Sequence, residues 1–291
     1  MWESVAGIIV CPHCTEGSLL KEGDTSIRCL HCQAEFEMED GIVNYYKVGI
    51  DSVEFRNYLG YNRVAGEFSD AKRRTTANFH QLTKRPLHNM IIESLKNKPI
   101  LDLGCGIGFV TNMLVDYFPS ESIIATDLCM PMLRQVKASH PYVNLLCCSA
   151  FSLPLRNNSV GNVISSLCDP FCNERMFEEV NRVLVPGGLF GFTIPSSNWI
   201  LDSRKDKDIS KFILDDGSII EVNSFLYDEG EMVKMAQNKN FNIETAEKKF
   251  GYDLMYINPG VISPSIHELS ENLGRKWHEL PLVDFYIFKK L

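Results

Sequence analysis

Long apolar runs are missing from this sequence. Among its 291 residues, no stretch approaches the ~20 apolar residues of a bilayer-spanning helix, so no membrane span is expected. The opening MWESVAGIIVCPHC holds only a six-residue apolar run and no basic start, which argues against a secretory signal. A surplus of basic charge is missing too. Against 37 Asp and Glu stand 29 Lys and Arg, a net charge of −8, with a pI near 5.4. Gripping a polyphosphate rests on Lys and Arg, so this balance counts against nucleic acid as the main partner. Internal repeats and low-complexity tracts are also absent.

What is present reads as an ordinary globular chain, with 45% hydrophobic and 23% charged residues. The length fits about two domains, or one large domain with an appendage, and suffices for a sizeable core. Ten cysteines without an export signal imply a reducing, cytoplasmic setting with free or metal-bound thiols. Four of them form CPHCTEGSLLKEGDTSIRCLHC, in which Cys11/Cys14 and Cys29/Cys32 are separated by fourteen residues. Two such pairs can supply four thiolates around Zn²⁺, and a closed four-cysteine shell makes the metal structural. His13 and His31 sit inside the pairs and are read as bystanders. The remaining cysteines are read as small buried hydrophobes, with Cys168 and Cys172, at i and i+4, left open as soft ligands.

Three regions follow. Residues 1–45 form a metal-stapled module with short strands at SIRCL and AEFEM, too small to fold on apolar burial alone. Residues 46–98 read as broken helix forming a linker and active-site cap, whose last helix carries Leu87, Met90, Ile91 and Leu95 at helical spacing. Pro86 is placed in the first turn of that helix. From residue 99 to 291, strands alternate with helices of ten to fifteen residues, which implies an α/β fold with a parallel sheet. Stretches near 196–226 and 254–280 break the alternation and read as lid-like or substrate-facing insertions.

The strand-to-helix turn LDLGCGIGF places Asp102, Gly104, Gly106 and Gly108 where backbone can approach a ligand and helix N–H groups face it. Alone, a G-x-G-x-G loop is compatible with many nucleotides. Asp127, at the end of the next strand, adds a carboxylate suited to ribose hydroxyls. The run from this loop through RVLVPGGLF resembles the class I S-adenosylmethionine-dependent methyltransferases, especially the ubiquinone/menaquinone-biosynthesis-like branch. That resemblance covers 96–195 closely and 226–291 loosely, and implies a Rossmann-like seven-stranded sheet. It also implies that the glycine loop wraps the methionine end of the cofactor, Asp127 binds its ribose and Leu128 packs on its adenine. Ser149 and Ala150 would meet the adenine edge, and Ser166 joins the cofactor-binding candidates. Two positions depart from the pattern: Ser149 replaces the usual Asp, and Val160-Gly161 replaces a Phe-Asp pair. Asp102 remains open between cofactor contact and loop brace.

The cysteine segment resembles small zinc-ribbon proteins that activate methyltransferases. It also resembles the ribbon of bacterial 23S rRNA guanine-N1 methyltransferases, which have the same domain order and whose ribbon helps hold RNA. Charge opposes an RNA grip. Cys11–Gly41 has two basic and seven acidic residues, net −5, whereas 56–98 has nine basic, among them Arg73, Arg74, Lys84 and Arg85, against three acidic, net +6. The expected arrangement has the acidic ribbon packed against the basic helices as a lid or brace. Asp169 resembles part of an Asn/Asp-Pro-Pro-aromatic motif of amino-methylating enzymes, and competes with a plain capping role. His80 and His88, in the segment that usually walls the acceptor pocket, are candidate bases, and Tyr61 is a candidate cofactor contact. The reading is methyl transfer to a small-molecule or carrier-bound acceptor. The alternatives are an rRNA guanine methyltransferase and a non-catalytic cofactor-binding or scaffold subunit.

Overall fold

The structure, a computed structural model, describes residues 5–15, 17–46, 52–68, 74–93, 98–197, 208–255 and 262–291. Its centre is a set of strands whose side chains are buried on both faces. These are β5 (Ile100–Leu103), β6 (Ile123–Asp127), β7 (Asn144–Cys147), β8 (Val160–Ser166) and β9 (Leu184–Pro195). Continuous burial of this kind belongs to parallel strands covered by helices. They lie in the order β7-β6-β5-β8-β9, and every neighbouring pair is parallel. Beyond β9 come β13 (Pro281–Lys290), antiparallel to it, and β12 (Phe241–Phe250) at the edge. A cluster of rings from Phe177, Phe190, Phe192, Phe241 and Phe288 fills the space under this end. Covering helices include α3 (Phe109–Leu114), α4 (Met130–Ser139), α5 (Glu174–Val183) and α6 (Glu229–Asn238). Asn173 caps α5, and Asp228 with Glu231 forms a capping box on α6.

The amino-terminal module is joined to this sheet. Its strands β1 (Leu19–Glu22), β2 (Ser26–Cys29), β3 (Glu35–Glu39) and β4 (Ile42–Asn44) form a meander, and β4 pairs in parallel with β7. The result is one eleven-stranded sheet. The expected packing of an acidic ribbon on the basic cap gives way to edge pairing. An open β7 edge would expose unpaired backbone groups, and β4 satisfies them. The acidic residues Glu39 and Asp40 meet Arg134 of α4. Of the basic residues counted toward the cap, Lys72, Arg73 and Lys96 lie outside the described residues, as does Leu95.

The cap consists of α1 (Ser52–Val64) and α2 (Arg74–Glu93). Pro86 lies inside α2, not in a first turn, because Phe79, Leu82, Leu87 and Met90 are buried on both sides of it. Burial of that stripe outweighs the hydrogen bond proline removes. The first irregular stretch holds a hairpin, β10 (Ile209–Ile213) with β11 (Ile219–Asn223). The second holds α8 (Pro264–Asn272), preceded by the short α7 (Tyr252–Met255). The portions 198–207 and 256–261 lie outside the described residues. Among the described residues, no helix is long and apolar enough to cross a membrane.

Candidate functional site

At the carboxyl end of β5 the chain turns through Gly104 at φ +71°, a conformation side chains avoid. A Cβ there would also stand 2.6 Å from the Cys168 Sγ, so both backbone and space demand glycine. Gly104 and Cys105 donate to the Thr126 carbonyl, each at 2.9 Å. Asp127 then ties two turns together. Its Oδ2 accepts from the Gly106 N–H and its Oδ1 from the Cys129 N–H, both at 2.8 Å. Burial raises its pKa, and those N–H groups oppose the rise. Each oxygen keeps a further lone pair for a ligand hydroxyl.

These turns open into a cavity of 1090 Å³. One half is bounded by the glycine loop, Asp127, Leu128, Met132, Cys148 and Ala150. The other lies under Phe68, Phe79 and His80 of the cap, Phe212 of the hairpin and Ser263 at the start of α8. Ser166 and Asp169 lie on the cavity wall. The volume exceeds the usual range for a single small ligand, about 300–1,000 Å³, and leaves room for two.

Several sequence candidates sit elsewhere. Asp102 is 1% exposed, off the cavity wall, and accepts from the Thr111 Oγ1 at 2.6 Å. Burial raises its pKa to about 7, with Thr111 opposing and the charge of Asp127 adding to the rise. It braces β5 against α3. Gly108 begins α3, and Ser149 accepts from the Phe151 N–H at 3.1 Å; neither lines the cavity. β7 ends at Cys147, so Ser149 belongs to the turn beyond it. His88 meets the Tyr117 hydroxyl through Nε2 and is not on the cavity wall, so it has no access there to an acceptor.

His80 does reach the cavity. Its ring stacks on Phe109, centroids 4.0 Å apart, and its Nδ1 lies 3.3 Å from the Ser166 Oγ. Ser166 continues to the Thr193 Oγ1 at 3.1 Å, which also accepts from the Leu167 N–H. Burial pulls the His80 pKa down to about 4, so the ring is neutral at pH 7. Asp169 opens a single 3₁₀ turn and accepts from the Ser224 hydroxyl, while Asn173 takes the helix cap. Tyr61 lies on the wall, edge-on to Phe212.

Sequence reading missed the residues that hold the roof. Asn57 is fully buried, donates to the Pro170 carbonyl at 2.9 Å and accepts from the Asn223 N–H at 2.8 Å. It thereby fastens α1, the Asp169 turn and the hairpin. Thr75 of α2 and Ser263 share a hydrogen bond of 2.6 Å. The hairpin itself had a signal, the Asp216-Gly217 pair between two apolar alternations. Asn57 had none, because its partners are 113 and 166 residues away.

The four cysteine sulfurs lie within 4.8 Å of one another, with Cys11–Cys32 and Cys14–Cys29 at 3.6 Å. Tetrahedral zinc at about 2.3 Å from each sulfur separates sulfurs by about 3.8 Å, so the donor set fits. The His31 and Cys32 N–H groups point at the Cys29 sulfur at 3.4 Å. A Cβ on Gly17 would stand 2.1 Å from that sulfur. His13 instead packs edge-on against Phe36.

Residues 101–192 match the methyltransferase domain family. The fold is that of a class I S-adenosylmethionine-dependent methyltransferase. A malonyl-[acyl-carrier protein] O-methyltransferase from Methylococcus capsulatus is 34% identical over 99 residues, 32% of this chain and 36% of that one. The chain thus spans little more than a third of the length of that curated relative. Among solved structures, geranyl diphosphate C-methyltransferase from Streptomyces coelicolor aligns with a TM-score of 0.58 at 12% identity, over 84% of this chain and 100% of that one. An S-adenosylmethionine-dependent methyltransferase from Mesorhizobium loti aligns at 0.51 and 19% identity, over 70% of this chain and 96% of that one.

Proposed function

We propose that this protein transfers a methyl group from S-adenosylmethionine to a small-molecule or carrier-bound acceptor, with structural zinc held by Cys11, Cys14, Cys29 and Cys32. The observation that carries the reading is a continuous cavity running from the Asp127 turn to a chamber lined by rings and hydroxyls. The name of the Methylococcus relative supports an acceptor presented on a carrier. A chamber roofed by α1, α2, the hairpin and α8 suits a slender group better than a folded RNA.

The cofactor, when bound, supplies an electrophilic sulfonium methyl. Asp127 would accept the ribose hydroxyls through charge-assisted bonds, and Leu128 and Met132 would cover the base. The aromatic roof excludes water and leaves the acceptor atom aligned for in-line attack. His80, neutral at working pH, offers Nε2 as acceptor for an O–H or N–H proton while Ser166 holds the other ring nitrogen. Asp169, which accepts from the Ser224 hydroxyl, lies on the same cavity wall.

The test is twofold. Calorimetry with S-adenosylmethionine and S-adenosylhomocysteine is expected to show binding to the isolated protein, and absence of binding overturns the reading. Tritium transfer from labelled cofactor is expected into a small-molecule or carrier-protein fraction. Label in unmethylated 23S rRNA alone would transfer the assignment to an rRNA methyltransferase.

A further inference from the structure

The ribbon and the cofactor cavity share one segment of chain. Residues 147–156 leave β7, pass Cys148 and Ala150 on the cavity wall, and then meet the amino-terminal module on their other side. Two connections reach this segment from the cysteine knuckle. The first begins one residue before Cys11. Val10 donates its N–H to the Pro154 carbonyl at 3.0 Å, Ile9 bridges Leu155, and Arg156 donates to the Ile8 carbonyl at 2.7 Å. The second runs through rings. His13, between the first two ligands, packs on Phe36, Phe36 packs on Tyr45 at 5.0 Å, and Tyr45 donates its N–H to the Cys147 carbonyl at 2.8 Å. From the opposite side the segment is held by α5 and by β6: Glu179 accepts from the Leu153 N–H, Arg182 donates to the Leu153 and Leu155 carbonyls, and Cys148 donates its N–H to the Asp127 carbonyl at 3.1 Å.

We propose that metal occupancy of the four-cysteine site sets the affinity of the cavity for its cofactor, by holding residues 147–156 as the wall on the adenine side. The proposal rests on the cofactor reading given above. Without a metal bridging the four sulfurs, the Cys11–Cys14 turn loses its tie to Cys29 and Cys32. Val10 and Ile9 are directly attached to that turn, so their bonds to 154–156 loosen with it. The hold of α5 and β6 then keeps Cys148 in place and the segment near its position without fixing Ala150 and the turn beyond it. A module that only staples its own forty residues would leave this wall untouched.

The experiment uses the full chain with its zinc content measured, then stripped by chelation, then reloaded with zinc. Stripping is expected to speed amide exchange across 147–156. It is also expected to weaken S-adenosylhomocysteine binding about tenfold, the worth of one or two hydrogen bonds, and reloading restores both. Unchanged exchange in 147–156 after complete zinc loss overturns the proposal, as does loss of the whole fold on stripping. Val10→Pro is the second variant: it deletes one donor of the first connection and leaves all four cysteines. It is expected to keep zinc and still weaken binding, and unchanged affinity there overturns the proposal. If the zinc-loaded protein binds no S-adenosylhomocysteine, the cofactor reading fails, and exchange in 147–156 alone decides the coupling.

Discussion

The two halves of the cavity, which the proposed function assigns to cofactor and acceptor, are built by different means. The cofactor half comes from one contiguous stretch, Leu103 to Ala150, in which most wall residues sit at a strand end or in the turn after it, with Met132 added from α4. Its bonds are short in sequence, such as Gly106 to Asp127 and Cys129 to Asp127. The acceptor half is assembled from α1, α2, the hairpin and α8, which meet only in the folded chain. Its fastenings, Asn57 to Asn223 and Thr75 to Ser263, span 166 and 188 residues. A site of the first kind is fixed by the scaffold that every relative of the fold shares. A site of the second kind is free to change its acceptor without disturbing the first.

Substitutions can sharpen or break this division. The largest effect is expected from Asp127→Ala, which removes both turn-tying bonds and the ribose partner. Cofactor affinity should fall about a hundredfold or more, from two charge-assisted bonds of about 1.5–3 kcal/mol each. Unchanged affinity in calorimetry would break the assignment of that half. Next, Asn57→Ala removes two buried hydrogen bonds, to the Pro170 carbonyl and from the Asn223 N–H, a loss of about 2–4 kcal/mol. Thermal unfolding should show it. Amide exchange should rise in 209–223, and the cofactor affinity of the protein that remains folded should be nearly unchanged. A matching fall in cofactor affinity would show that the halves are one unit.

The Asp102 brace predicts a smaller, pH-dependent effect. Its folded pKa, about 7, lies above the ordinary carboxylate value. Between the unfolded value of about 3.9 and about 7, the folded chain therefore binds the extra proton, and this group's contribution to stability is lost as pH rises through that window. Asp102→Asn should flatten that part of the melting-temperature profile while keeping an acceptor for Thr111. A profile identical to that of the parent chain would deny the brace its buried charge. The smallest effect belongs to Lys211→Ala on the hairpin. Its pair with Glu221 is exposed on both sides, so stability should change by less than about 1 kcal/mol. Any larger change in methyl transfer, measured once an acceptor is known, would then report on the acceptor itself.

The ribbon and the glycine loop were legible because their information is local. Two C-x-x-C pairs, a strand-turn-helix with glycines, and a carboxylate at the next strand end are patterns of adjacent residues, and backbone sterics and metal geometry give them meaning. The alternation of buried strands with amphipathic helices fixed the α/β class for the same reason. The reading failed where the deciding partner is far away. Pro86 looks like a helix start until the burial of Phe79 and Leu82 before it is known. His80 and His88 are equivalent in sequence, eight residues and about two turns apart on one helix, yet only His80 faces Ser166 and the cavity.

By itself the sequence determined the parallel core, the cofactor turn with Asp127 and the four-sulfur knuckle, since each depends on neighbours along the chain. Tertiary structure alone decided three further things. The ribbon became the outer strands of the main sheet because the β7 edge needed a partner. Asp102 became a brace because it was buried beside Thr111. The acceptor chamber closed because Asn57, Thr75 and Ser263 found partners that no spacing in the sequence announces.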